Sequence, residues 1–275
     1  MIREATSAEL IKIWESSQKL NKIFTSFDNF KLYHRKQRRS VFVNVNTGDI
    51  KGNTVIGFWK EQKDTMAIWD LFDHRDYIVE WIIYLKREAS THNVKSMVII
   101  DPYAEIVDIL LRSGFKLFSS VSMLQCQGIS VSDFNNVAQL KEIRKEDLPT
   151  ILKIDEKCFL RFWKLSVSDI NRIFDDPKIK VYAYLAIYEG RYVGYIMGGG
   201  NTEEGNIGRI AVLPDFQGLG IGRQMLATVL HEMRADGIQS INIHTQFDND
   251  KAKALYKDFG FYETRPGLDI YLTDI

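Results

Sequence analysis

Three glycines at 218, 220 and 222 lie within the stretch Gln217-Gly218-Leu219-Gly220-Ile221-Gly222-Arg223, which follows the apolar run Ile210-Ala211-Val212-Leu213 and Pro214. A helical pattern begins directly after them. Glycine turns tightly without a side-chain penalty, so the loop can aim several backbone N–H groups in one direction. At a helix N-terminus, where the helix dipole adds to those groups, this makes an anion site suited to a pyrophosphate. On these residues alone, three readings are open: a dinucleotide loop, a nucleoside triphosphate loop, or a glycine-rich connection without a ligand.

The elements that must hold this loop are legible in the apolar periodicity. The chain has 275 residues, enough for one large or two ordinary domains, with 45% hydrophobic and 26% charged residues and a formal net charge of zero. That balance is the profile of a soluble globular protein and gives no bulk electrostatic case for nucleic acid or membrane. The one basic cluster, His34 to Arg39, reads as a solvated helix end or loop. No apolar run is long enough to cross a bilayer. The N-terminus lacks the apolar stretch of a secretory signal, and Cys126 and Cys158 have no metal-ligand spacing around them, which points to a reduced, cytoplasmic protein without a metal.

In chain order, Ile2 to Ala5 reads as a strand, Ser7 as a cap and Ala8 to Phe24 as a helix. Strands follow at Val41–Val45, Val55–Trp59 and Thr65–Phe72, with turn signals at Thr47-Gly48-Asp49 and Gly52-Asn53. Val79–His92 is a helix, Met97–Ile100 a strand, Ala104–Arg112 a helix and Phe115–Gln127 an extended segment. Gly128–Asn136 is polar and breaks the pattern as a linker. The order then restarts: strand Leu140–Arg144, helix Glu146–Cys158, and helix Ser166–Phe174 with Ser166 and Asp169 in a capping-box arrangement. A hairpin follows around Glu189-Gly190-Arg191, then strand Asn206–Leu213, the glycine loop, helix Arg223–Asp236, strand Ser240–Thr245 and helix Asp250–Phe259.

The restart reads as a tandem repeat. Ala67–Asp101 can be laid on Ala211–Thr245 without a gap, so that Phe72 meets Phe216, Glu88 meets Glu232 and Ser96 meets Ser240, with the apolar positions mostly matched. The expected domains are residues 1–129 and 138–275.

The second half resembles the GCN5-related N-acetyltransferase (GNAT) family. Gln217 to Gly222 fits that family's Q/R-x-x-G-x-G/A loop after a strand ending Ala-Val-x-Pro. Asn249-Asp250-Lys251-Ala252-Lys253-Ala254-Leu255-Tyr256, closed by Gly260-Phe261, looks like its second signature, N-x-x-A-x-x-L-Y followed by G-F. With both in order the rival readings weaken. A nucleoside triphosphate loop needs Lys-Ser/Thr where Arg223-Gln224 stands. A dinucleotide fingerprint needs G-x-G-x-x-G, which glycines at 218, 220 and 222 do not give.

The resemblance implies an α/β fold, a mixed sheet flanked by helices, in two tandem GNAT-like domains. It implies acetyl-CoA as acyl donor, with its pyrophosphate on the N–H groups of Gly218, Leu219, Gly220, Ile221, Gly222 and Arg223 and its pantetheine arm along Ile210, Ala211 and Val212. Gln217 belongs to the same loop, and Asn249 matches a family asparagine that contacts the cofactor while also able to cap its helix. Tyr256 is the implied general acid for the thiolate, at the edge of a core face formed by Ala252, Leu255 and Phe259. The family glutamate before the loop is missing, with Asn206 and Gly208 in its place. His244, five residues before Asn249, is the candidate base, with a hydrogen-bonded core histidine as the alternative. Glu203 and Glu204 are further candidates.

In the first half Asp73, His74, Asp76 and Ile78 stand opposite Gln217, Gly218, Gly220 and Gly222, and Leu110 stands opposite Tyr256. Two aspartates would repel a pyrophosphate, so that half is expected to be degenerate, supporting the core or shaping the acceptor pocket. The implied activity is acetyl transfer to a primary amine of a small molecule or peptide, whose pocket would come from Phe159–Ser168 and Arg265–Leu272. A longer acyl group, a hydroxyl acceptor, or a non-catalytic acyl-CoA-binding module are the alternatives.

Overall fold

The structure is a computed structural model that describes residues 1–17, 19–20, 27–28, 30–31, 40–46, 49–127, 134–201 and 203–275, the side chains of residues 172, 265 and 266 excepted. The basic cluster 34–39, the Thr47-Gly48 turn signal and residues 128–133 of the expected linker lie outside the described residues. The chain divides into two compact units, Met1–Ser120 with Leu268–Ile275, and Val121–Gly267. Both boundaries fall inside strands rather than in the polar stretch before Val137.

The first unit holds β1 (Ile2–Glu4), α1 (Leu10–Ser16), β2 (Val41–Asn46), β3 (Asp49–Trp59), β4 (Gln62–Phe72), α2 (Ile78–Thr91), β5 (Ser96–Ile100) and α3 (Val107–Arg112), with the start of β6 (Lys116–Gln127) and the end of β12 (Tyr262–Asp274). Its ladder runs β1-β2-β3-β4-β5-β12, antiparallel except for β4 with β5. The chain's C-terminal residues Ile270–Asp274 thus pair with Ile100–Ser96. Trp81, Leu85, Met97, Phe115 and Tyr271 fill one face under α2 and α3, and Leu10, Ile13, Val41 and Val55 fill the other under α1.

Two local expectations are corrected here. Thr6, not Ser7, closes the start of α1: its N–H and hydroxyl both donate to the Glu9 carboxylate, at 2.8 and 2.9 Å. Gly52-Asn53 is not a turn but lies inside β3, where a Cβ on Gly52 would fall 2.3 Å from the Asp73 carboxyl.

The second unit holds the end of β6, then β7 (Gln139–Glu142), α4 (Leu148–Cys158), α5 (Val167–Phe174), β8 (Lys180–Tyr188), β9 (Arg191–Gly200), β10 (Glu204–Val212), α6 (Ile221–Ala235), β11 (Ser240–Gln246), α7 (Asp250–Asp258) and the start of β12. Its ladder runs β6-β11-β10-β9-β8-β7, with only β10 and β11 parallel. The β8–β9 turn uses positive φ at Glu189 and Gly190, which suits the twist of a tight hairpin. Ser166 accepts from the Asp169 N–H while Asp169 accepts from the Ser166 N–H, the capping box read from the sequence. One face of the sheet packs under α6 and α7 through Ile207, Met225, Leu226, Ile243 and Phe259, and the other under α4 and α5 through Ile151, Ile154, Tyr195 and Ala211.

The two units repeat the strand–helix–strand order, but not without a gap. The parallel ladder joins Thr65–Ile68 to Ser96–Ile99 in the first unit and Glu204–Ile207 to Ser240–Ile243 in the second. Ile68 therefore answers to Ile207, and each strand carries a bulge at the next residue, Trp69 or Gly208. From there to the helix the first unit has residues 70–77 and the second 209–220, so the gapless alignment slips over the strand that precedes the helix. The first unit lacks the glycine turn by length as well as by residue type.

Candidate active site

The site begins at the Gly208 bulge. Up to Ile207, β10 pairs with β9 on one edge and β11 on the other; from Arg209 to Val212 it keeps β9 and no longer pairs with β11. β11 continues as His244-Thr245-Gln246 paired only with β6. The two parallel strands therefore diverge after Ile207 and Ile243, and one backbone edge of Arg209–Val212 is open. Such an edge receives an extended chain by strand-like hydrogen bonding. The bulge also shifts the side-chain phase, since the extra residue moves every later side chain to the other face. Ile207, Ile210 and Val212 consequently share the α6 face, whereas Arg209 and Ala211 meet the α4–α5 face.

Past the open edge, Pro214–Phe216 form a single 3-10 turn, and the glycine turn follows. The Gln217 side-chain amide donates to the Val212 carbonyl at 3.1 Å, tying the loop to the strand end. Gly218 and Gly220 have φ of +82° and +87°, a left-handed conformation that costs an L-residue about 1–2 kcal/mol. Among the described residues nothing lies within 4 Å of a Cβ on Gly218, and the nearest atom to one on Gly220 is Val137 Cγ2 at 4.0 Å. The glycines are therefore required by the turn, and the space above them is open. Gly220 is also the N-cap of α6, where no side chain caps the helix and no acidic residue sits in the first turn. An open, uncapped helix start next to a bare strand edge fits an anionic group with an extended chain attached.

Helix α7 lies against this start. Arg223 is ion-paired with Asp258 and stands over the Phe259 ring at 5.4 Å, and a Cβ on Gly222 would lie 3.8 Å from Leu255. Asn249 caps α7, accepting from the Ala252 N–H at 3.3 Å, and donates to Thr245 Oγ1 at 3.1 Å. Its cap role is thus realised. Tyr256 is only 3% exposed, so the expectation that it sits at the edge of the core face is corrected. The buried face of α7 is Lys253, Tyr256 and Phe259, because Lys253 can hide its stem while its ammonium pairs with Glu263 at 3.1 Å and stands over Phe247 at 4.2 Å. Burial pushes the Tyr256 pKa up, and among the described residues its hydroxyl has no hydrogen bond. Among the described residues no fully buried side-chain N or O lacks a partner, so that hydroxyl keeps access to solvent.

His244 lies just past the divergence, on the face opposite buried Ile243 and Thr245. It is exposed, which removes the reading of a core histidine, while the bulk of surrounding protein holds its pKa below the ordinary value. Glu203 and Glu204 are not brought to the site: Glu204 opens β10 at the paired end, about 26 Å from Val212 at ~3.3 Å per residue.

The sequence reading missed two residues, Gln224 and Asp155. Buried Gln224 in α6 accepts from the N–H groups of Val137 and Ala138, both at 2.9 Å, and donates to the Ala138 carbonyl at 2.8 Å, docking the end of the expected linker beside the glycine turn. Asp155 in α4 is 1% exposed and accepts from Arg209, Tyr195 and Leu165. A buried polar residue with partners distant in sequence leaves no local pattern; a carboxylate on the apolar side of α4 was the one available signal.

A model of the Acetyltransferase (GNAT) family matches residues 142–261. An acetyltransferase of Sodalis glossinidius is 30% identical over 121 residues, which cover 43% of this chain and 83% of that protein. The chain belongs to the GNAT acetyltransferase family. A second acetyltransferase, from Pectobacterium atrosepticum, is 29% identical over 128 residues, 46% of this chain and 88% of that protein. Among solved structures, a GCN5-related N-acetyltransferase from Sphaerobacter thermophilus aligns with a TM-score of 0.71 over 100% of this chain and 95% of that chain, at 12% identity. A tandem GNAT protein from the clavulanic acid biosynthesis pathway aligns with a TM-score of 0.68 over 100% and 97%, also at 12% identity. Both halves therefore have the GNAT fold.

In the first GNAT unit the shorter connection from β4 to α2 carries an aspartate in place of a glycine turn. The Asp73 carboxylate accepts from Trp81 Nε1 in the first turn of α2 and from Asn44 Nδ2, both at 2.8 Å, and from the His74 N–H at 2.6 Å. An internal carboxylate therefore stands beside the start of α2. Among the described residues, no group of three or more His, Cys, Asp or Glu side chains could hold a metal, and no helix is long and apolar enough to cross a membrane.

Proposed function

We propose that the second unit transfers an acetyl group from acetyl-CoA to a primary amine of a small molecule or peptide, and that the first unit neither holds acetyl-CoA in this manner nor catalyses. The observation that carries this reading is the open edge of Arg209–Val212 running into an uncapped helix start at Gly220, with Tyr256 on the adjoining helix. The N–H groups of Gly218–Arg223 would hold the pyrophosphate, and Ile210, Ala211 and Val212 would pair with the pantetheine amides. Asn249, already oriented by its cap and by Thr245, would add a contact. Bound acetyl-CoA supplies an activated thioester.

The chain's own groups then manage protons. His244, exposed and with a depressed pKa, is neutral at pH 7 and can take the proton of the attacking ammonium directly or through water. Tyr256, with its pKa raised, holds its proton until a thiolate needs it. The two free thiols, Cys126 and Cys158, suit a reducing compartment such as the cytoplasm. The reading excludes nucleic acid and membrane as partners and needs no metal.

Calorimetric titration with acetyl-CoA, followed by a free-thiol assay over a panel of amines, tests the reading. One acetyl-CoA per chain and amine-dependent thiol release support it. Two bound acetyl-CoA molecules, or binding without thiol release from any amine or hydroxyl, would overturn it in favour of two sites or of a non-catalytic binding module.

A further inference from the structure

We propose that Arg209, held by Asp155, is a positioning residue that fastens the aromatic stretch Phe159–Leu165 to β10 and so fixes a wall beside the acetyl group. This rests on the acetyl-CoA reading for what the wall faces, but not for the fastening itself. Arg209 donates through Nε and Nη2 to Asp155 Oδ1 at 2.9 and 2.7 Å, and through Nη2 to the Trp163 carbonyl at 2.7 Å; its guanidinium stands 3.5 Å over the Phe159 ring. Asp155 completes the hold by accepting from the Leu165 N–H at 2.8 Å and from the Tyr195 hydroxyl at 2.6 Å. The stretch is thus held at its start and its middle by Arg209 on β10, and at its end by Asp155 on α4. A planar guanidinium can make its contacts here at once, with two edges donating and a face stacking, and an ammonium cannot.

Arg209 is the residue just after the bulge, where β10 parts from β11, so the same irregularity that opens the strand edge turns this side chain onto the α4–α5 face. The first unit carries the device independently. Asp70 follows the bulge at Trp69, is 1% exposed, and accepts from Ser17, the residue that ends α1, at 2.7 Å, and from Asn53 at 3.3 Å. In each unit, then, the residue after the bulge grips the chain leaving the helix under that face. Only the second unit extends the grip to a run of rings, Phe159, Phe162 and Trp163, the latter two packed edge to face at 5.0 Å. Ala211, two residues along β10 on the same face, lies in the segment where the acetyl end of the ligand would pair.

Trp163 is the one tryptophan of the second unit, the others being Trp14, Trp59, Trp69 and Trp81. The full chain labelled with 5-fluorotryptophan therefore gives a single fluorine resonance from the stretch, assigned by Trp163→Phe. In Arg209→Lys that resonance is expected to shift or broaden with the other four unchanged, and acetyl-CoA affinity measured by calorimetry to stay within threefold of wild type. In the wild type it is expected to differ between the CoA and acetyl-CoA complexes. Should Arg209→Lys fail to fold, Asp155→Asn combined with Arg209→Gln removes both charges of the pair together and is read the same way. An unmoved Trp163 resonance in the variant overturns the fastening; equal spectra with CoA and acetyl-CoA overturn the wall. Absence of acetyl-CoA binding in the wild type refutes the proposed function, and with it the wall, while the ligand-free spectra still decide the fastening.

Discussion

The guanidinium of Arg223, in the first turn of α6, is ion-paired with the carboxylate of Asp258 at the end of α7. Together with the Phe259 ring beneath Arg223, this pair joins the glycine turn to the helix that carries Tyr256. Both partners are partly exposed, and such pairs contribute only ~0–1 kcal/mol to stability. Asp258 also places a negative charge beside the expected pyrophosphate site. Asp258→Asn is therefore expected to leave the melting temperature almost unchanged and to tighten acetyl-CoA binding about twofold to fivefold, since roughly 0.4–1 kcal/mol of repulsion is removed. Weaker binding by calorimetry would show that the pair's role is to shape the turn.

Tyr256→Phe separates catalysis from packing. Among the described residues the hydroxyl has no hydrogen bond to lose, and the ring keeps its place against Phe261 at 6.0 Å, so stability should hold. Turnover should fall by about 10²-fold or more, the usual contribution of a positioned acid, with acetyl-CoA affinity within twofold of wild type. Turnover equal to wild type would remove Tyr256 from the acid role.

Gly220 tests the turn. Its φ of +87° makes Gly220→Ala cost about 1–2 kcal/mol although the space around a Cβ is open. Gly220→Glu adds a negative charge where the pyrophosphate would lie and is expected to weaken acetyl-CoA binding more than 100-fold, with a loss of melting temperature close to that of Gly220→Ala. If alanine and glutamate weaken binding equally, backbone strain rather than charge explains the loss.

How these residues were legible differs from case to case. The glycine turn, the Glu189-Gly190 hairpin and the Ser166–Asp169 box are local devices, each written in a few consecutive residues, and they stand where the sequence placed them. Lys253 did not read as buried because its partners, Glu263 and Phe247, come from other segments. The Gly208 bulge follows from a pairing register that alternation along one strand does not reveal, and it sets both the open edge and the direction of Arg209. The strands β6 and β12 each begin in one compact unit and end in the other, a division that polar composition along the chain does not mark.

The depressed pKa of His244 sets a pH dependence. As the base it must be neutral, so kcat/KM should rise with pH through a pKa below about 6.5 and level off by neutrality. His244→Gln should abolish that acid limb and lower the plateau. Stability follows the same direction: between the folded and unfolded pKa values the unfolded chain binds more protons, so this residue's contribution is lost as pH falls through that window. An acid limb that survives in His244→Gln would assign the base elsewhere.

The partition of β6 predicts which fragment of the second unit holds together. Val121–Gln127 supplies the edge partner for all of β11, from Ser240 to Gln246, and brings Leu124 and Cys126, each 1% exposed, into the core beneath α6 and α7. A fragment of residues 138–267 has the glycine turn, Asn249 and Tyr256, but leaves β11 as a bare edge and opens a cavity where those two side chains were. Losing a buried leucine alone costs about 2–5 kcal/mol, a large share of a small domain's stability. The fragment 121–267 is therefore expected to melt cooperatively, while 138–267 aggregates or melts at least 10 °C lower. Equal melting of the two would show that β6 is dispensable to the core that carries the site.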